Sequence, residues 1–342
     1  MANIREIAKR AGVSVTTVSR VLNHHPYVKE EKRERVLDAM RELKYTRNIQ
    51  AVHLAKGYSN MLGIVLPTID HSYFSRLVTG IAEKAQTRGM HFALFQTGYD
   101  PLKEKEALMS LKERRVDGLI FCSNALRDRD ILRWQESGPI IFCHPVPIEN
   151  CSTVSIAHDQ AFKEGLHHLA ACGHQRIAIV LARIEGTNSE SRLQAYQDMM
   201  QSLGQEIEEE WIIEGKLTLF DGKQLFAEWQ EMKNRPTALF ITNDDVSAGF
   251  LLEAQRHDIK VGESPAILGF QNDHLSEALG ISSIDIPLKR MGQEAFDLFD
   301  RAIKGEAPEK RMLPFRLIER STTVFKNNSL THVSSVLYDK RD

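Results

Sequence analysis

Apolar residues in the first part of the chain recur at helical spacing, in short runs separated by polar turns. In "NIREIAKRAG", Ile4, Ile7 and Ala8 form a stripe, and Asn3 stands where an N-cap belongs. Glu6, three residues on, completes a capping box, and Gly12 offers the positive φ that stops a helix. In "GVSVTTVSRVLN", residues 12–23, Ser14 caps a second run whose Val18, Val21 and Leu22 share one face. Thr16, Arg20 and Asn23 fall on the opposite face, with Thr17 and Ser19 beside them. A third run, from about Glu30 to Leu43, turns Val36, Met40 and Leu43 inward. Two short helices joined by about three residues around a glycine predict a helix-turn-helix. In "KYTRNIQAVHLAKG", Asn48 caps a short segment carrying Ala51 and Leu54. A leucine on so polar a segment is either a wedge for a nucleic-acid groove or a piece of domain interface.

From Met61 the pattern changes to short apolar runs between helical stretches. "MLGIVLP", "HFALFQTG", "DGLIFCS", "PIIFCHP", "RIAIVLA", "ALFITND" and "PAILGFQ" read as buried parallel strands. The alternation predicts an α/β body with right-handed crossovers and ligand chemistry at the carboxyl ends of its strands. About 280 residues exceed one comfortable core, so two lobes are expected.

Charge sharpens the division. The net charge is −2, but residues 1–57 hold twelve Lys/Arg against six Asp/Glu, a net of +6 that leaves −8 for the rest. A small basic head on an acidic body is the balance expected where only the head meets a polyanion. The hydroxyl-rich second helix fits that partner. Short side chains let a helix backbone approach the major groove, Thr and Ser reach phosphates and base edges, and Arg takes guanine O6 and N7 together. An amphipathic surface helix that is merely rich in Thr and Ser is the plainer alternative.

Other classes find less support. No apolar run approaches the ~20 residues of a membrane span, and the charged, helical "MANIREIAKR" is not a signal peptide. Cys122, Cys143, Cys151 and Cys172 show no CxxC spacing, and Cys122 and Cys172 read as small core residues; the expectation is a cytoplasmic chain without disulfides. GxSxG, GxGxxG after a strand, GxxxxGK[ST] and HExxH are all missing, so neither catalysis nor a cofactor is expected. His24–His25 and His167–His168 lack metal-ligand spacing, and His174 in "CGHQRI" reads as structural. Asp244–Asp245, after a strand, suits acid–base work and ligand hydrogen bonding equally.

The ordered motifs "NIREIAKRAGVSVTTVSRVLN", "NIQAVHLAKG", "LGIVLPTIDHSYFSRLVTGI", "RRVDGLIF", "ACGHQRIAIV", "SRLQAYQDMM", "PTALFITNDDVSAG", "AILGF" and "LPFRLIERST" resemble the lactose- and galactose-repressor family across residues 2–325. The resemblance implies an all-α helix-turn-helix head on an α/β, two-lobed, periplasmic-binding-protein-like body, with three crossings between lobes. These are placed near residues 160, 290 and 322. The corresponding domains are a head at 1–46 and a hinge at 47–60. The first lobe is 61–160 with 291–322, the second is 161–290 with 323–330, and a tail occupies 331–342. The resemblance assigns base reading to Val15, Thr16 and Arg20 and phosphate contacts to Thr17, Ser19 and Asn23. It also makes Leu54, on the segment with Ala51, a wedge in the minor groove. Arg47 stands where relatives often have proline, and Val52 where arginine is common.

By the same matching the effector site comprises Asp70, His71, Tyr73, Phe74, His144, His158, Arg192, Asn243 and Gln271. Relatives often carry Asn at the positions of His71 and His158, and Asp at those of His144, Ala157 and Gln271. Fewer carboxylates and three added imidazoles suggest an anionic effector, with His71, His144, His158 and Arg192 making the cleft electropositive. A metal held by clustered histidines and drift in a weakly used cleft are the alternatives. The implied partners are double-stranded operator DNA, a sugar or sugar phosphate and a second copy of the chain. The tail "NNSLTHVSSVLYDKRD" is short and polar for the heptad segment of family tetramers, so a homodimer is expected. Some relatives also dock a phosphocarrier corepressor on the first lobe. Arg290 and Asp297 reverse the charges expected there, which opposes that docking.

Overall fold

The computed structural model describes residues 3–23, 25–45 and 58–324. Ala51 and Leu54, and the expected tail at 331–342, lie outside these residues. The chain forms two compact units, Met1–Ser59 and Asn60–Asp342.

In the first unit, α1 (Ile4–Ala11) starts where expected. Asn3 Oδ1 accepts the Arg5 and Glu6 N–H groups at 2.9 and 3.1 Å, and Glu6 Oε2 accepts the Asn3 N–H at 3.2 Å. Gly12 at φ 61° ends the helix. Ser14 Oγ then accepts the Thr17 N–H at 3.2 Å and opens α2 (Val15–Leu22). α3 (Glu30–Glu42) closes the bundle. Ile7, Ala8, Ala11, Val18, Val21, Val36 and Ala39 form the core. An Arg10–Glu42 ion pair at 2.6 Å ties α1 to α3.

The second unit holds two six-stranded sheets. Lobe 1 orders its strands β11 (Lys310–Leu313), β5 (Ser152–Ile156), β4 (Ile140–Phe142), β3 (Gly118–Phe121), β1 (Met61–Leu66) and β2 (His91–Gln96), all parallel. Alternate residues of β1 face opposite layers, as strand geometry requires. Ile64 and Leu66 pack with α4 (Ser72–Arg88) and α12 (Leu288–Ile303), whereas Val65 packs with α5 (Pro101–Lys112). The helices α4 and α12 approach closely: a Cβ on Gly80 would lie 1.9 Å from Lys289 O, and one on Gly292 would lie 2.1 Å from Leu77 O.

Lobe 2 orders β12 (Arg316–Ile318), β10 (Ser282–Asp285), β9 (Ala266–Gln271), β8 (Ala238–Ile241), β6 (Ile177–Leu181) and β7 (Ile212–Glu214). One face carries α7 (His158–Ala171) and α8 (Thr187–Ser202). The other carries α9 (Leu219–Glu231) and α10 (Asp244–Arg256).

The chain crosses between sheets at residue 157, at 286–287 and at 314–315. The third crossing therefore falls earlier than residue 322. β12 runs antiparallel to β10, pairing Ser283 with Ile318, so residues 316–322 belong to lobe 2. The strand "HFALFQ" also differs from expectation: β2 is an edge strand, and Phe92 and Leu94 remain 38% and 43% exposed. Among the described residues no helix is long and apolar enough to cross a membrane.

Candidate nucleic-acid interface and ligand cavity

On α2 the buried residues Val18 and Val21 hold one face against the bundle core. Val15, Thr16, Arg20 and Asn23 are exposed, and Thr17 and Ser19 are half-buried at the edge of that face. At 100° per residue, Thr16, Arg20 and Asn23 span an arc of about 60°. The Thr17 hydroxyl lies 2.9 Å from Ser14 Oγ, so the same side chain braces the cap. Asn23 Nδ2 donates to Ser19 Oγ at 3.5 Å. The exposed side chains are short except for one guanidinium, which suits close approach to a groove.

In the second unit a cavity of about 640 Å³ opens between the lobes, at the carboxyl ends of β1, β3, β4, β6, β8 and β9. Of the expected effector residues, His71, Tyr73, Phe74, His144, His158, Arg192 and Gln271 line it. Asp70 and Asn243 do not. Asp70 is exposed outside the cavity. Asn243 is consumed as the cap of α10: its Oδ1 accepts the Asp245 N–H at 2.9 Å. Its Nδ2 donates to Leu217 O at 2.7 Å and lies 3.1 Å from His71 Nε2. Tyr99, Asn124, Asp128, Arg183 and Phe270 line the cavity without having been singled out in the sequence. Tyr99, Asn124 and Arg183 each follow a strand's carboxyl end, the one signal that could have found them.

The imidazoles depart from the expected electrostatics. His71 Nδ1 accepts the Tyr73 N–H at 3.1 Å and caps α4. Burial lowers its pKa to about 4, against an opposing attraction from Asp273. His158 is 3% exposed, and burial followed by the Arg192 charge pushes its pKa well below the ordinary value. His144 Nε2 donates to Asp128 Oδ1 at 3.1 Å. Although burial opposes ionisation of Asp128, the bonds from His144 and Asn124 hold its carboxyl below the usual range. His71 and His158 are thus neutral, and the arginines of the lining, Arg127, Arg183 and Arg192, are matched in number by Asp128, Glu185 and Glu190, so the expected excess of positive charge is not found. Among the described residues no group of three or more His, Cys, Asp or Glu side chains is placed to hold a metal ion.

Arg192 Nη2 lies 3.1 Å from His158 Nδ1, and its guanidinium carbon lies 4.7 Å over the Phe270 ring. Burial lowers the Arg192 pKa to about 10, which leaves it charged at neutral pH. Gln271 bridges the lobes: its Oε1 accepts the Ser72 hydroxyl at 2.9 Å and its backbone carbonyl accepts Arg76 Nη1 at 3.0 Å. The end of β9, which carries Gln271, is organised by Asp244, which is buried and accepts the Phe270 and Asp273 N–H groups at 3.0 and 2.9 Å. A Cβ on Gly269 would lie 2.2 Å from Asp244 Oδ1, so β9 requires glycine at this point. Asp244 is thereby absorbed in the scaffold. Cys122, Cys143, Cys151 and Cys172 are buried free thiols.

Comparison with known proteins places both units. The profile described as "Bacterial regulatory proteins, lacI family" matches residues 3–48, and "Periplasmic binding proteins and sugar binding domain of LacI family" matches 59–321. The uncharacterized HTH-type transcriptional regulator YkvZ of Bacillus subtilis (strain 168) is 51% identical over 322 residues, covering 94% of this chain and all of that protein. Catabolite control protein B of the same organism is 38% identical over 303 residues, covering 87% of this chain and 94% of that protein. A crystal structure of the lac repressor dimer bound to operator and an anti-inducer superposes with a TM-score of 0.81. It is 24% identical and covers 94% of this chain and 99% of that one, a likeness of fold.

Proposed function

Because the chain belongs to the LacI family of bacterial regulatory proteins, we propose that it represses carbohydrate or catabolite genes as a cytoplasmic homodimer. Two heads read a pseudo-palindromic operator, and a sugar or sugar phosphate in the cleft sets how tightly they hold it. The observation that carries this reading is the pairing of an exposed, hydroxyl-lined α2 with a large cavity between two lobes. Catalysis plays no part in it.

One head offers little surface, and non-specific binding of such a module is only about 10⁻⁴–10⁻⁶ M. Two-fold symmetry doubles the contacts and matches a palindrome. The lac repressor of the superposed structure is a dimer on its operator, which supports the same assembly here. Val15, Thr16 and Arg20 address base edges, Thr17, Ser19 and Asn23 address phosphates, and Leu54 is the wedge at the centre of the site.

Regulation follows from the cross-lobe contacts. His71, Ser72 and Arg76 of lobe 1 meet Asn243 and Gln271 of lobe 2, so a ligand that favours closure favours these bonds. A coupling of ~1–3 kcal/mol would change operator affinity about 5- to 150-fold. Docking of a phosphocarrier is disfavoured by the surface expected to receive it. Asp297 is paired with Lys84 at 3.0 Å, and Arg290 lies 3.6 Å from Glu294, so both charges are engaged within the lobe.

Genomic footprinting with the purified full-length chain tests the proposal. A small set of shared palindromes upstream of metabolic genes is the expected result; uniform occupancy would refute it.

A further inference from the structure

Two thiols stand side by side at the wall of the cavity. β3 and β4 are parallel and pair Phe121 with Phe142, and the Cys143 N–H donates to Phe121 O at 2.8 Å, so the ladder runs on to Cys122 and Cys143. Side chains alternate along a strand. Ile120 and Ile141 pack in the layer of α4 and α12, Phe121 and Phe142 in the opposite one, and Cys122 and Cys143 return together to the first. The two thiols share a hydrogen bond, which with burial pushes the Cys122 thiol well above its ordinary pKa. Cys122 lines the cavity, and Cys143 is fully buried beside it.

Spacing decides what such a pair can hold. Neighbours in register on parallel strands keep their Cβ atoms at about the strand spacing, roughly 4.8 Å. A disulfide needs about 3.5–4.5 Å, so the pair is wide for one. Two metal–sulfur bonds of about 2.3 Å, the zinc–thiolate length, span about 4.6 Å when set end to end. Thiolates select soft ions, namely copper(I), zinc and iron–sulfur clusters. Zinc and iron–sulfur sites take four ligands, and among the described residues no third His, Cys, Asp or Glu completes a metal group here. A two-coordinate ion is what remains.

We infer that Cys122 and Cys143 form a linear site for one copper(I) ion, reached from the cavity between the lobes. Two thiols and one copper(I) give a bis-thiolate complex of net charge −1 and two released protons, with the oxidation state of the metal unchanged. A buried anion needs a nearby cation. The charge of Arg192 acts on the Tyr73 hydroxyl together with both cysteines, so it is close enough to offset the complex. The apolar surroundings exclude water as a further ligand. Ser123, Asn124 and His144, which follow the two cysteines, line the cavity, so occupancy reaches the wall that an effector meets. The site itself depends on neither the effector nor the operator.

Anaerobic titration of the reduced full-length protein with copper(I), against the colorimetric chelator bicinchoninate, tests the inference. The protein should withdraw one ion per chain from the chelator and release two protons. X-ray absorption of the loaded wild-type protein should show two sulfur ligands and nothing else, a result that needs no variant to fold. Cys122→Ser and Cys143→Ser should each abolish the withdrawal, and the Cys151→Ser/Cys172→Ser protein should bind as the parent does. No withdrawal by the wild type, a coordination shell containing nitrogen or a third sulfur, or full binding by either single variant would each overturn the inference.

Discussion

The guanidinium carbon of Arg183, on the loop after β6 in lobe 2, sits 3.8 Å above the ring centroid of Tyr99 in lobe 1. Its Nη2 donates to Asn124 O at 3.4 Å, so one side chain spans the cavity. A cation over an aromatic face contributes about 0.5–2 kcal/mol. Arg183→Ala is therefore expected to shift the lobes toward open forms, by about two- to thirty-fold in the equilibrium. Small-angle scattering or lobe-to-lobe fluorescence transfer would register the change; identical profiles for both proteins would show that the contact does not hold the lobes.

Two buried groups should give opposite pH dependences. His71 has a folded pKa of about 4 against 6.5. Its Nδ1 accepts the Tyr73 N–H, so a second ring proton there finds no acceptor. The unfolded chain binds that proton more readily, and stability is lost as pH falls from 6.5 toward 4. Asp244 is raised from 3.8 to about 6, by burial and then by Asp273. Here the folded form keeps its proton longer, and stability is lost as pH rises from 3.8 toward 6. Each effect is about 3 kcal/mol in size, so the two largely cancel between pH 4 and 6. His71→Asn keeps a capping side chain and removes one of them. Chemical denaturation of this variant should show stability falling as pH rises from 4 to 6. The same flat dependence as the parent would refute the pairing.

Arg192 should lower the stability of the unliganded protein. Replacing a half-buried guanidinium that no carboxylate among the described residues pairs by an apolar side chain of similar length is expected to stabilise by about 1–4 kcal/mol. Thermal unfolding of Arg192→Met without ligand should occur at higher temperature than that of the parent. A clear fall would mean that the guanidinium is a structural support.

In the head, two substitutions separate reading from folding. Ser14→Ala removes the bond to the Thr17 N–H and should cost about 1 kcal/mol of head stability. Arg20→Ala touches an exposed side chain; it should leave stability unchanged yet cost about 1–3 kcal/mol of operator affinity, with discrimination relaxed at the base pair it reads. Circular dichroism melts and anisotropy titrations distinguish them, and an Arg20→Ala protein with full affinity would exclude that contact.

How much of this is legible in the sequence depends on the range of the interaction. The caps at Asn3 and Ser14 are local, and the residues that form them are three apart. The strands of Ile64 and Phe240 are apolar runs whose burial needs no partner to be named. β5 is harder: "STVSI" is buried throughout, and its Ser152 hydroxyl is satisfied by the Glu309 N–H, 157 residues away. β12 is three residues long with no fully buried side chain, so its change of lobe leaves no pattern. The cavity follows the same rule. Strand ends place His71, His158 and Arg192 from the motifs alone, but not that Asn243 is spent on Leu217 or that Arg183 meets Tyr99. Charge follows the same rule: His71 and His158 look cationic in a row of letters, and burial decides otherwise.

The most direct test of the account is competitive binding of the full-length chain to DNA at a salt concentration that removes non-specific association. A palindrome recovered by selection should be held about 10³-fold or more over its scrambled counterpart, and the Arg20→Ala protein should lose much of that margin. Equal affinity for the two duplexes would contradict the claim that α2 reads sequence.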